Sequence, residues 1–202
     1  MTVNKSRVWA LTAVALVLGF VAFAATSILW AIAPERFARP DPVPVSTFWY
    51  DDPARYQPPA VAAAKADLAT EEPVIGVQIA GRTRAYRRSA LEGKGNHVIN
   101  DVVAGRPVTV TYCDRKRCAR VYSGDGPGPL HVREGGYDDG LLLLVGTVRY
   151  RQDTGAPATP GIRGALPHGS IEFVETTWGR WQSDHPDTDM VTGSAPGDLV
   201  GG

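Results

Sequence analysis

Apolar positions run continuously at the front of the chain and then break into short alternating stretches. Residues 8–33 read VWALTAVALVLGFVAFAATSILWAIA, 26 residues without a charge. About 20 apolar residues cross a bilayer core, so this run predicts one transmembrane helix with some tilt. Residues 60–70 (AVAAAKADLAT) hold strong helix formers and predict a short helix ended by Glu71-Glu72-Pro73. VIGVQI from Val74, then Ala80-Gly81 and RTRAYRR, predicts a hairpin; HVINDVV from His97, then Ala104-Gly105 and PVTVTY, predicts another. Val108, Val110 and Tyr112 alternate with Thr109, Thr111 and Cys113, which gives that strand one apolar face and puts the first cysteine on the other. PLHVR reads as a short strand between Gly- and Asp-rich loops (SGDGPG, EGGYDDG), and LLLLV from Leu141 as a buried central strand. ETTWGRWQSDHPDTD predicts a short helix capped by Thr176 or Thr177 and stopped before Pro186. Trp178 and Trp181 share its core-facing side, and His185 serves as a C-terminal cap.

These elements divide the chain into a cytoplasmic N-terminus (1–7), a signal-anchor helix (8–33), a Pro-rich stalk with a short helix (34–72), a β-rich domain (73–192) and a tail (193–202). The expected fold is a mainly β single domain of hairpins with short helices, behind one transmembrane helix. Trp9 and Trp30 fall roughly 31 Å apart at about 1.5 Å per residue, where aromatic side chains mark the two membrane interfaces. Lys5 and Arg7 before the run orient the N-terminus inward, which leaves the domain periplasmic on a single-pass inner-membrane anchor. A cleaved signal peptide with Ala22-Phe23-Ala24 as its site is the rival reading; both export the domain. Within the stalk, Phe48-Trp49-Tyr50 either plug onto the domain or the lipid interface, or dock an integral membrane partner.

Composition adds exclusions. Lys plus Arg and Asp plus Glu both number 21 in 202 residues, so no net field draws in nucleic acid. Gly 22 and Pro 16 suit short strands joined by many turns. No cofactor motif is present. Asp153-Thr154-Gly155 has no second copy and reads as a β-turn rather than a paired-carboxylate site. Ser123, Ser170 and Ser183 lie outside any nucleophile elbow.

Chemistry gathers at TYCDRKRCARVY, which holds the only two cysteines. Asp114-Arg115-Lys116-Arg117 is a common hairpin loop length, so Cys113 and Cys118 are expected as cross-strand neighbours within disulfide reach. Three readings stay open. An exported domain favours a structural disulfide. Arg115, Lys116, Arg117 and Arg120 would favour a thiolate and redox exchange. Metal binding would use Cys113, Cys118 and His97, with His131 as a further nearby histidine.

PVIGVQIAGRTRAY, HVINDVVAGRPVTVTYC, VRYRQDTG and TTWGRWQSDHPDT together resemble the bacterial domain of unknown function catalogued as number 3179, from about Glu72 to Thr192. Many members carry Cys-Pro-Leu-Cys where this chain has Cys113 to Cys118; the first cysteine matches, and the second is displaced by two positions. A close cysteine pair in the family implies redox or metal chemistry there. His97, ahead of Asn100-Asp101, resembles a family stretch in which a histidine shortly precedes Asn-Asp. The expected function is a membrane-anchored binding or accessory subunit of a larger membrane assembly with the cysteines as a staple; the alternative is an extracytoplasmic thiol-disulfide or metal-handling protein.

Overall fold

A computed structural model describes residues 55–193, and these form a mainly β domain. The anchor run with Trp9 and Trp30, the triplet Phe48-Trp49-Tyr50 and residues 194–202 lie outside the described residues. Among the described residues no helix is long and apolar enough to cross a membrane.

Thirteen strands follow in chain order: β1 (Arg55–Tyr56), β2 (Val61–Ala62), β3 (Pro73–Ile79), β4 (Arg82–Arg87), β5 (Val98–Val103), β6 (Arg106–Cys113), β7 (Cys118–Ser123), β8 (Val132–Tyr137), β9 (Leu141–Val145), β10 (Val148–Arg151), β11 (Gly169–Ser170), β12 (Val174–Thr177) and β13 (Asp189–Val191). One helix, α1 (Trp178–Asp184), lies between the last two. They build three sheets, ordered β1-β5-β6-β7-β11, β10-β9-β8 and β12-β3-β4-β13-β2.

Both predicted Ala-Gly turns form. Ile79 pairs with Arg82 around Ala80 (φ 48°) and Gly81 (φ 78°), and Val103 pairs with Arg106 around Ala104 (φ 51°) and Gly105 (φ 75°). Two successive left-handed residues match the twist of the strands they join.

The β5-β6-β7 ribbon is the middle layer. Its Ile99, Val103, Val108, Val110, Tyr112, Ala119 and Val121 pack against Ile75, Val77 and Tyr86 of the β3-β4 hairpin. On its other face Val98, Cys113 and Tyr122 pack against Val132, Tyr137, Leu141, Leu143 and Tyr150 of the three-stranded sheet. The cysteine-bearing face is therefore covered by a second sheet, and every residue from Pro107 to Cys113 is buried. Burying each large aliphatic side chain at such an interface stabilises by about 1.5–3 kcal/mol. Outside β3-β4-β13, Trp178 and Trp181 of α1 pack on Val74, Ala85 and Met190.

Two consecutive residues of β5 tie the middle layer to its two covers, because neighbours on a strand point to opposite faces. Asn100 donates from Nδ2 to Val132 O (2.8 Å) and accepts from Thr109 Oγ1 (2.7 Å). Asp101 accepts at Oδ2 from Arg84 Nη1 and from the Tyr86 hydroxyl, each at 2.8 Å. Asp101 is 3% exposed, and removing one member of such a buried pair costs about 3–5 kcal/mol.

Three local expectations are corrected. Residues 60–70 do not form an α-helix: Val61–Ala62 pair with β13, Ala63–Lys65 make one 3₁₀ turn, and the rest is turn and coil. Cross-strand pairing outweighs helix propensity in a segment too short to nucleate alone. Residues 55–72, expected as the end of the stalk, instead enter the sheets through β1 and β2, and Trp178 N–H donates to Glu72 O (2.8 Å). The Gly-rich stretch after Val132 continues as strand through Tyr137, with an irregular register between Glu134 and Tyr137. A Cβ at Gly135 would stand only 3.2 Å from Arg149 Cγ, so that glycine admits the crossing side chain. As expected, Trp178 and Trp181 are core and the His185 N–H closes the helix onto Trp181 O at 2.8 Å.

Candidate functional site

The β6-β7 hairpin pairs Cys113 with Cys118 across its four-residue loop, in the register the loop length predicts. Arg117 closes the loop in the left-handed region (φ 49°). Both cysteines are free thiols. Their surroundings differ: Cys113 is 0% exposed, whereas Cys118 is partly exposed at the hairpin edge.

Cys113 Sγ sits at the end of main-chain donors from two elements. Lys116 N–H reaches it from the loop at 3.4 Å, and Leu141 N–H from the start of β9 at 3.3 Å. Hydrogen bonds to the charged form favour ionisation. The Cys113 thiol is accordingly drawn down to about 6, chiefly by the hydrogen bond from Cys118, with burial opposing and the N–H groups of Lys116, Leu141 and Arg115 adding. The same hydrogen bond holds the Cys118 thiol well above the ordinary range, helped by burial and by the Cys113 charge. The first proton lost from the pair therefore leaves its charge on the buried sulfur.

Gln152, just past β10, braces the outer sulfur. Cys118 Sγ lies 3.5 Å from Gln152 Oε1, and Gln152 Nε2 donates to Thr111 Oγ1 (3.0 Å) and Cys118 O (3.2 Å). The single Cys118 S–H thus has two acceptors, Gln152 Oε1 and the Cys113 sulfur.

The loop cations act otherwise than their charges suggest. Lys116 Nζ is held by Asp153 (2.7 Å) and Asp139 (3.3 Å), and its methylenes lie over Gly140. Arg115 covers the Tyr137 ring at 4.5 Å. Arg117 is exposed. Backbone N–H groups of residues 115 and 116, not their side-chain charges, stabilise the Cys113 thiolate. Lys116 contributes by pinning the loop onto the 138–140 turn, so that its own N–H and that of Leu141 converge. Only Arg120 acts as a charge, on Cys118, whose ionisation it favours.

His97 is buried with both ring nitrogens engaged: Nδ1 donates to Leu91 O (3.0 Å), and Nε2 lies 2.7 Å from the Tyr137 hydroxyl and 3.6 Å from Asp114 Oδ2. Its main-chain N–H meets buried Glu134 Oε1 at 2.6 Å. His131 lies at the surface, 3.4 Å from the Tyr56 hydroxyl. Among the described residues no group of three or more His, Cys, Asp or Glu is placed to hold a metal ion. Tyr137, the cross-strand partner of Leu141, packs in the Cys113 cluster, and burial first and the Cys113 charge second hold its phenol well above the usual range.

Sequence reasoning missed Leu141, Gln152 and Tyr137. Leu141 acts through an N–H that nearly every residue carries, and Gln152 is 34 positions from its sulfur. The one available signal was Gln152 continuing the strand pattern of VRYR toward the core.

A family model described as a protein of unknown function (DUF3179) matches residues 51–126. That span begins ahead of β1 and ends just after β7, so it includes the cysteine hairpin; VRYRQDTG and TTWGRWQSDHPDT lie beyond it. No curated protein and no solved structure matches the chain.

Proposed function

Because the chain belongs to the DUF3179 family, whose description carries no activity, we propose a function from the thiol pair: exchange of a disulfide with dithiol substrates. The observation that carries this reading is the asymmetry of the pair. The buried sulfur is stabilised as a thiolate by converging N–H groups, and the outer sulfur is the one a partner reaches.

In the oxidised form a substrate thiolate attacks Cys118 Sγ. The Cys113–Cys118 bond breaks, and its electron pair leaves on Cys113 as a thiolate. A stabilised thiolate leaves fastest, and with Cys118 held in the mixed disulfide and its S–H gone, the N–H groups of Lys116 and Leu141 are what receive the charge on Cys113. The second substrate thiolate then attacks the substrate sulfur of the mixed disulfide. Cys118 departs and takes up a proton, which its raised pKa favours. Two electrons have passed from the substrate dithiol to the pair, and the reverse exchange with another disulfide restores it.

The long apolar run at residues 8–33 supports an export anchor that holds this domain outside an inner membrane, where disulfides persist. The test is the reduction potential of the pair. A value above about −300 mV supports exchange. A value below it returns the cysteines to a staple within a binding subunit that docks an integral membrane partner through Phe48-Trp49-Tyr50.

A further inference from the structure

Further along β7 from the outer sulfur lies a cavity of about 220 Å³, lined by Arg120, Tyr122, Asp153, Leu166 and His168 among others. Cys118, Arg120 and Tyr122 alternate along β7 and so share one face, with about 6.6 Å between successive members. The cavity is therefore lined by the two side chains that follow Cys118 on its own face of β7.

Its charge is unbalanced. Arg120 makes no ion pair among the described residues; its Nη1 donates to Ala119 O at 2.8 Å. Asp153, the carboxylate in the lining, is already held by Lys116 Nζ at 2.7 Å. His168 is kept toward its neutral form by burial. Arg120 is thus the cationic donor left to a ligand, and its planar fork suits a carboxylate. At about 30 Å³ per water the space equals roughly seven waters, the scale of a small organic acid.

We propose that this cavity receives a carboxylate of the substrate thiol, with Arg120 as the specificity-determining residue. The substrate class is then an anionic thiol, either a small mercapto acid, two molecules of which supply the two thiols, or a dithiol peptide with an acidic group beside one cysteine. This inference rests on the exchange reading above, and its test has one arm that does not.

In the first arm, 3-(methylthio)propionate and the uncharged 3-(methylthio)propanol are titrated into the full chain while the His168 ring and Arg120 resonances are followed by NMR. The acid is expected to shift both, and the alcohol neither; Arg120→Gln abolishes the response and Arg120→Lys restores part of it. In the second arm, the oxidised protein is reduced by 3-mercaptopropionate or 2-mercaptoethanol, with rates expressed per thiolate. The acid is expected to react at least about tenfold faster, the scale of one charge-assisted hydrogen bond, and Arg120→Gln equalises the two. Equal shifts with acid and alcohol, or a rate ratio unchanged by Arg120→Gln, overturns the proposal. Arg120-dependent binding in a protein that reacts with neither thiol keeps the anion site and removes the exchange reading instead.

Discussion

Leu141, the first residue of β9, donates its main-chain N–H to Cys113 Sγ at the end of β6 across 3.3 Å, so that a hydrogen bond between two sheets ends on sulfur. A disulfide sulfur is a far weaker acceptor than a thiolate. Oxidation should therefore move the amide proton signals of Leu141 and Lys116 upfield by more than those of any other amide in β8 or β9. In the reduced protein both should titrate together with Cys113. Amide spectra of the two redox forms check this, and unmoved Leu141 and Lys116 signals would contradict it.

Gln152 shares the Cys118 proton with Cys113. Replacing it by leucine leaves the Cys118 S–H one acceptor fewer, so the Cys113 thiolate should persist to lower pH than in the wild type. The same change strips donors from Thr111 Oγ1 and Cys118 O, at about 1–3 kcal/mol of stability. Thiolate titration and urea denaturation of Gln152→Leu read the two effects separately; a Cys113 midpoint that rises would oppose the assignment.

Stability of the reduced protein should depend on pH with a defined sign. Cys113 ionises at about 6 in the folded chain, below the ordinary value of about 8.5 it recovers on unfolding. Between these values the unfolded chain binds more protons, so the Cys113 contribution grows with rising pH, is complete above about 8.5 and is lost as pH falls through about 6. Cys118 has the opposite sign, and its contribution is lost as pH rises above the ordinary thiol range. The difference in unfolding free energy between wild type and Cys113→Ser, both reduced, should widen from about pH 5.5 to about pH 8. A flat difference would refute the linkage.

Gly76 in β3 lies under the Trp181 ring, and a Cβ there would fall inside the ring. Gly76→Ala must displace the tryptophan and should cost about 1–3 kcal/mol or more. Because α1 lies on the far side of β3-β4 from the cysteines, the variant should leave the thiolate titration unchanged. Thermal unfolding and the same titration test both halves of that expectation.

What the sequence disclosed follows the range of the interactions. The Cys113–Cys118 register depends on a four-residue loop, the two Ala-Gly turns on adjacent residues, and the Trp178–Trp181 face on one helical turn; each is local and was legible. The cover over the Thr109-Thr111-Cys113 face comes from β8, β9 and β10, far along the chain, and leaves no mark in the strand itself. Arg115, Lys116 and Arg117 misled because charge is visible in a sequence and direction is not: their side chains turn to Tyr137, to Asp139 and Asp153, and to solvent. Val61–Ala62 joins β13 although its local composition favours helix.

The most direct test is the ultraviolet thiolate absorbance of the fully reduced protein, followed as pH is raised through neutrality. One thiolate should appear with a midpoint near 6, vanish in Cys113→Ser and shift upward in Cys118→Ala, which lacks the donated S–H. Two thiolates appearing together near about 8.5, or a low midpoint that survives Cys113→Ser, would show that the buried sulfur is not the stabilised leaving group.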